Sequence, residues 1–239
     1  PIILDSAVAG AMELGTCSDL ATDSLSSLGN NAEFTGDKIK DLEILMNQTA
    51  KTSTKSNTSM EQLLQAYIKV GGQVENMNIP LSTANTMLGI LSDKGIKAEE
   101  AGNSLNSILI NLTKTSGESA KAMKQLGVSA FDSNGKIKPI EKTLGEMKKK
   151  LSSLSEEKQI QLINMIGGKT QAKTLQKLLQ GISADTMDFT EHYKSLRSEI
   201  EKSVDTSSLQ NLRETMEDNL KTDWEELTSA VEELSLIHI

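Results

Sequence analysis

Gly168-Lys169-Thr170 has the ending of a phosphate-binding loop, in which backbone amides wrap the phosphates and the lysine reaches them. That chemistry needs a glycine five positions before Gly168 and a strand leading into the loop. Ile163 stands at the first place and an apolar helical run at the second, so the tripeptide reads as a turn. Asp132-Ser133-Asn134-Gly135 begins like a calcium loop, which requires an oxygen ligand at its fifth position and Glu at its twelfth. Lys136 and Thr143 occupy those places, and a hairpin turn is the reading. His192, beside Tyr193, has no Cys or second His at ligand spacing, and the other histidine is His238 in the terminal tail. A zinc site or a Ser–His hydrolase has almost nothing to be built from. Cys17 stands alone, which excludes an internal disulfide, fits a reducing compartment such as bacterial cytoplasm, and reads as a small buried hydrophobe. Lys148-Lys149-Lys150 is the one basic run and reads as a solvated face balanced by Glu141 and Glu146. Carboxylate pairs such as Glu156-Glu157 and Glu225-Glu226 lie along solvated helix faces. No catalytic, cofactor-binding or metal-ligating residue is assigned, and the expectation is that the chain is not an enzyme.

What remains is the set of elements that such residues would sit on. The chain has 239 residues, enough for one large domain or two small ones. Aromatics are 3% and hydrophobics 37%, so a core must be made of Leu, Ile, Met and Ala. Helices accept that composition better than sheets, and the expected packing is shallow with a modest core. A formal charge of −8, with three Phe, two Tyr and one Trp, argues against direct nucleic-acid binding: the positive surface and the base-stacking platform are both missing. The longest apolar run, around Ile108-Leu109-Ile110, stops at Asn111, well short of the ~20 residues that span a bilayer. There is no signal-peptide pattern, and a start on Pro1 instead of Met points to a piece of a longer protein. Ser235-Leu236-Ile237-His238-Ile239 resembles the translated read-through of a sequencing adapter. Residues 235–239 are therefore expected to be a non-native tail, with an ordinary apolar tail as the alternative.

Apolar spacing and stop signals predict helices over 19–28, 37–49 and from Met60, the last opened by a capping box at Thr58 and Glu61 and weakened or broken at Gly71-Gly72. Lys51–Asn57 reads as a polar loop between the second and third. Ser82 caps a short helix to Leu91, closed by Gly95, and a one-faced helix runs from Ala98 through Leu112. Thr115 and Glu118 open the next, which ends at Gly127. Asn134-Gly135 then suits a type I′ turn in a hairpin over about 128–138, and Pro139 opens a helix with the a/d stripe Ile140, Leu144, Met147, Leu151 and Leu154. Two shorter helices carry Ile160, Ile163 and Ile166, then Ala172, Leu175, Leu178, Leu179 and Ile182. After Ser183 two long helices are expected, about 184–204 and 207–234. In the second, Leu209, Leu220 and Val231 repeat every 11 residues, as do Met216 and Leu227, a period that supports straight or slightly right-handed helix association. The fold class is all-α: a multi-helix domain with one small β-hairpin and long C-terminal helices.

The helix–hairpin–helix stretch from Lys94-Gly95-Ile96 to Asn134-Gly135-Lys136-Ile137-Lys138-Pro139 resembles the core region of phage tail tape measure proteins of the TP901 type. The similarity continues through Leu144, Met147, Leu151 and Leu154 to Met165-Ile166-Gly167-Gly168-Lys169-Thr170. Upstream it takes in Asp19-Leu20-Ala21-Thr22 and Met60-Glu61-Gln62-Leu63-Leu64, and downstream Asp218-Asn219-Leu220-Lys221 and Trp224-Glu225-Glu226-Leu227. Gly167–Thr170 departs from the family's usual wording, and no contact there is carried over. The resemblance implies a structural role: a tail-length ruler and assembly scaffold in the tube lumen of the virion, made in the host bacterial cytoplasm and released when the genome is ejected. Implied partners are the tail tube protein, baseplate or tail-tip proteins and tail assembly chaperones, with self-association through the C-terminal helices. Membrane contact would come through segments outside this piece, and direct nucleic-acid binding is not expected. The implied division is a core helical domain over 1–205, the start of an extended helical or coiled-coil section over 206–234, and the tail. A helical interaction or effector protein sharing the core is the alternative.

Overall fold

The computed structural model describes residues 1–237, with side chains through Trp224 and at Thr228. It is all-α with a small hairpin, and among the described residues eleven helices and one two-stranded antiparallel sheet follow in order. The helices are α1 (Ile2–Ala9), α2 (Leu14–Leu28), α3 (Lys38–Lys55), α4 (Met60–Asn76), α5 (Leu81–Asp93), α6 (Ala98–Thr113), α7 (Gly117–Leu126), α8 (Ile140–Ser152) and α9 (Glu156–Gln180). Strands β1 (Ile182–Ser183) and β2 (Asp188–Phe189) come next, and α10 (Glu191–Glu201) and α11 (Ser208–Ile237) complete the chain. No described helix is long and apolar enough to cross a membrane.

At the centre is α5, in which every residue from Leu81 to Ser92 is buried. It touches α3, α4, α6, α9 and α10. A helix buried all round cannot be amphipathic, and its polar members must find partners inside. Thr86 Oγ1 donates to Ser82 O at 2.8 Å, and Asn85 Oδ1 accepts from Thr52 Oγ1 at 2.9 Å. Its first amides, orphaned by helix geometry, are met from the loop before α3: Leu81 N donates to Asn31 Oδ1 at 3.2 Å and Ser82 N to Glu33 at 3.0 Å. The expected cap, Ser82, is thus a donor to Glu33 and not the residue that satisfies the end.

With few aromatics the helices close together by being thin. Ser24 and Ser27 of α2 donate to the carbonyls of Leu64 and Tyr67 on α4, at 2.9 and 3.1 Å. A Cβ at Gly71 would lie 2.7 Å from the Ser27 carbonyl carbon, and one at Gly102 would lie 2.8 Å from the Ala66 Cα. The glycine pair at 71–72 does not break α4, and Gly71 lets α2 approach. The polar stretch 51–57 also remains helical as far as Lys55. Thr52 hydrogen-bonds inside the core, which the polar reading of that segment could not anticipate. The capping box of α4 is real but sits one residue on, at Ser59 and Gln62. The core is a single cluster running from Ala7 to Leu209, with Leu45, Leu64, Leu88 and Leu109 fully buried, deeper than the composition suggested.

The hairpin expected at 128–138 is present as one bridge, Phe131 to Ile137. Its turn differs from the expected type I′. Only Gly135 takes positive φ (+76°), Gly135 N donates to Asp132 O at 3.1 Å, and Asp132 N donates to Lys136 O at 2.8 Å. This is a three-residue loop closed by a left-handed glycine. The paired strands lie elsewhere, Ile182 opposite Phe189 and Ser183 opposite Asp188, where a helix was expected to start.

Candidate functional site

Each residue flagged for chemistry takes a structural place. Gly168 (φ 68°, ψ 179°) interrupts α9, and the chain doubles back so closely that a Cβ on Gly167 would lie 2.6 Å from the Ala172 nitrogen. A helix leads into Gly168-Lys169-Thr170, where a phosphate loop needs a strand. The Asp132 carboxylate is turned onto its own loop, accepting from Asn134 N at 2.8 Å and Lys136 N at 2.9 Å. That is an Asx turn, and it engages one of the two carboxylate oxygens. His192 is exposed at the start of α10, edge-on to Tyr193 at 4.8 Å. Cys17 is fully buried, and desolvation raises its thiol pKa to about 11, so the nucleophilic thiolate is suppressed. Among the described residues no group of three or more His, Cys, Asp or Glu could hold a metal ion.

The lysine run divides. Lys149 and Lys150 are exposed, while Lys148 is half-buried, donates to Ile182 O, and has its pKa lowered by desolvation. The carboxylates expected to balance the run are engaged elsewhere, Glu146 with Lys138 and Glu141 with Arg197 at 3.5 Å. Arg197 also meets Asp188 at 3.3 Å and lies 5.3 Å over the Phe189 ring. This cluster fastens β1–β2 between α8 and α10. Burial is the main cause of a raised Glu141 pKa, and Arg197 opposes it. Arg197 and Glu33 were both missed by sequence reasoning. Neither lies in a motif: Arg197's partner Glu141 stands 56 positions away and Glu33's partner Ser82 stands 49.

A cleft of about 530 Å³ lies between the α4–α5 turn and the 136–141 segment, with Met77, Ile79, Pro80, Ile137 and Pro139 among its walls. Its one carboxylate, Glu141, is the one already paired with Arg197.

The feature that stands out is α11. Its root is bound to the core: Leu209 is buried, its amide donates to Asn47 Oδ1 at 3.0 Å, and Arg213 bridges Asp5 at 3.0 Å and Glu217 at 2.8 Å. Leu212 and Met216 are half-buried, and from Glu217 to Trp224 every residue is exposed. Leu220 is 61% and Trp224 69% accessible. The 11-residue stripe therefore has two environments: Leu209 in the core and Leu220 on a helix that has left it. Val231, Leu227 and the tail side chains lie outside the described ones.

Comparison with known proteins agrees with this outline. The chain is 25% identical over 238 residues to a tape measure protein of Pneumococcus phage Dp-1, covering 99% of this chain and 19% of that protein. It is 26% identical over 184 residues to a probable tape measure protein of Escherichia phage P2, covering 76% of this chain and 22% of that one. The chain thus spans about a fifth of the length of these relatives. No solved structure matches it. The profile of one family, described as phage-related minor tail protein, matches residues 1–168, which reach from α1 to the break in α9. The chain, a helical body matched over most of its length, belongs to the phage-related minor tail protein family.

Proposed function

We propose that this chain is the helical core and the first stretch of the extended helix of a tail tape measure protein of the TP901 type, acting as ruler and assembly scaffold inside the tail tube. In this reading residues 1–205 are an end or assembly module and 206–234 begin the ruler. Copies lie side by side in the tube lumen of the virion, contacting tube, baseplate or tail-tip proteins after chaperone-assisted assembly in the host cytoplasm, and leave at genome ejection. The role is structural; no residue is given a catalytic, cofactor or metal duty. Copies associate through the C-terminal helices, and membrane contact belongs to other segments of the longer protein.

The observation that supports this most is the change of environment along α11. A ruler must add length in proportion to residue count. A continuous helix clear of its own core does so at ~1.5 Å per residue, which makes the 30 residues of α11 about 45 Å long. Phage genetics tests it. An in-phase insertion of six 11-residue repeats into the helix after Trp224 should lengthen tails by roughly 100 Å in electron micrographs. A deletion inside residues 1–205 should abolish tails instead of shortening them in proportion. Tails of unchanged length after the insertion would refute the ruler.

A further inference from the structure

We infer that the lobe formed by α7, α8 and α9 is a docking surface for the acidic α11 of a second copy of this chain. Residues 114–177 hold thirteen lysines and no arginine against six carboxylates, a formal charge of +7, whereas the rest of the chain carries −15. The average of −8 hides this division. Helices α7, α8 and α9 pack on one another, so the sequence cluster is one body. Lys142, Lys149, Lys150, Lys169 and Lys173 are exposed there and form no ion pair among the described residues.

The complementary surface is on the same chain but out of its own reach. Residues 208–237 carry two cations and eight carboxylates, and Glu214, Asp218 and Asp223 are exposed. Among the described residues α11 touches only α1 and α3, never the basic lobe. Two unlike patches that do not meet within one molecule among the described residues can meet between two. Such a contact is heterologous, giving a ring where the rotation closes and a filament where it does not. A nucleic acid fits less well. The lobe lacks arginine forks, Phe131 is its one aromatic, and the remainder of the chain would repel phosphate. The inference rests on charge and placement and stands whether or not the ruler reading holds. It also differs from pairing of α11 with α11, in which apolar stripes would meet and like charges would lie together.

Sedimentation of the 239-residue chain tests it. Because exposed charge pairs are screened, the self-association constant should fall at least about tenfold between about 50 mM and about 500 mM salt. A variant with Lys142, Lys149, Lys150, Lys169 and Lys173 all changed to Glu should be monomeric at low salt. So should a variant with Glu214→Lys, Asp218→Lys and Asp223→Lys. Mixing the two should restore a hetero-complex, because one then supplies an acidic lobe and the other a basic α11. Circular dichroism confirms that both variants remain folded; if either unfolds, the salt titration of the native chain alone decides. Overturning results are a native chain that stays monomeric at low salt, association indifferent to salt, folded variants that fail to pair on mixing, or duplex DNA captured by the lobe of a non-associating chain.

Discussion

Gly71 and Gly72 are neighbours in sequence and opposites in surroundings. A methyl group at 71 would strike the backbone of Ser27 and Leu28 within 2.9 Å, whereas one at 72 meets nothing within 4 Å. Gly71→Ala should therefore destabilise by about 1–3 kcal/mol through overpacking. Gly72→Ala should stabilise by about 0.5–1 kcal/mol, since alanine removes the entropy cost of an exposed helix glycine. Urea melts of both variants check the pair, and equal effects would refute the assignment. Glu141 gives a pH prediction at the same scale. Its folded pKa lies above the ordinary carboxylate value, so the folded state holds the proton more firmly and stability falls as pH rises through that window. Glu141→Gln should remove this slope, so that native and variant urea midpoints diverge between about pH 4.5 and the raised folded pKa. The sequence showed two glycines and a glutamate among many. It could not show which glycine faces a neighbouring backbone, because that neighbour lies some forty residues away.

At the scale of elements, α11 is the informative case. Its root and its projecting part have the same residue types and one period, and differ only in what lies beside them. Leu209→Ala should cost about 2–5 kcal/mol, the usual loss for a buried leucine, while Leu220→Ala should stay within about 0.5 kcal/mol. Chemical denaturation of the two variants measures this, and a large effect at Leu220 would mean that α11 lies on the core. The existence of this helix was legible in its 11-residue repeat, and the break in α9 in Gly167-Gly168. The β1–β2 hairpin was not legible. Two-residue strands carry no periodicity, and Ile182 and Phe189 pair because α8 and α10 close over them and Arg197 clamps Asp188.

For the molecule as a whole, one hydrophobic cluster joins α1 to the root of α11, with α5 buried at its centre. A chain trimmed after Met216 should unfold in a single urea transition, near- and far-ultraviolet dichroism coinciding as two-state behaviour requires. Two separated transitions would contradict a shared core.

By itself the sequence determined the helical class and most helix stops. Those properties are local: a 3.6-residue period, a cap and a left-handed glycine are all written within a dozen positions. Tertiary structure alone decided that α5 is the buried centre, that Glu33 and Asn31 finish its N-terminus, and where α11 parts from the core. It also gathered the lysines of 114–177 into one body. Burial and charge fields depend on which distant segments meet, and that is settled when the helices pack.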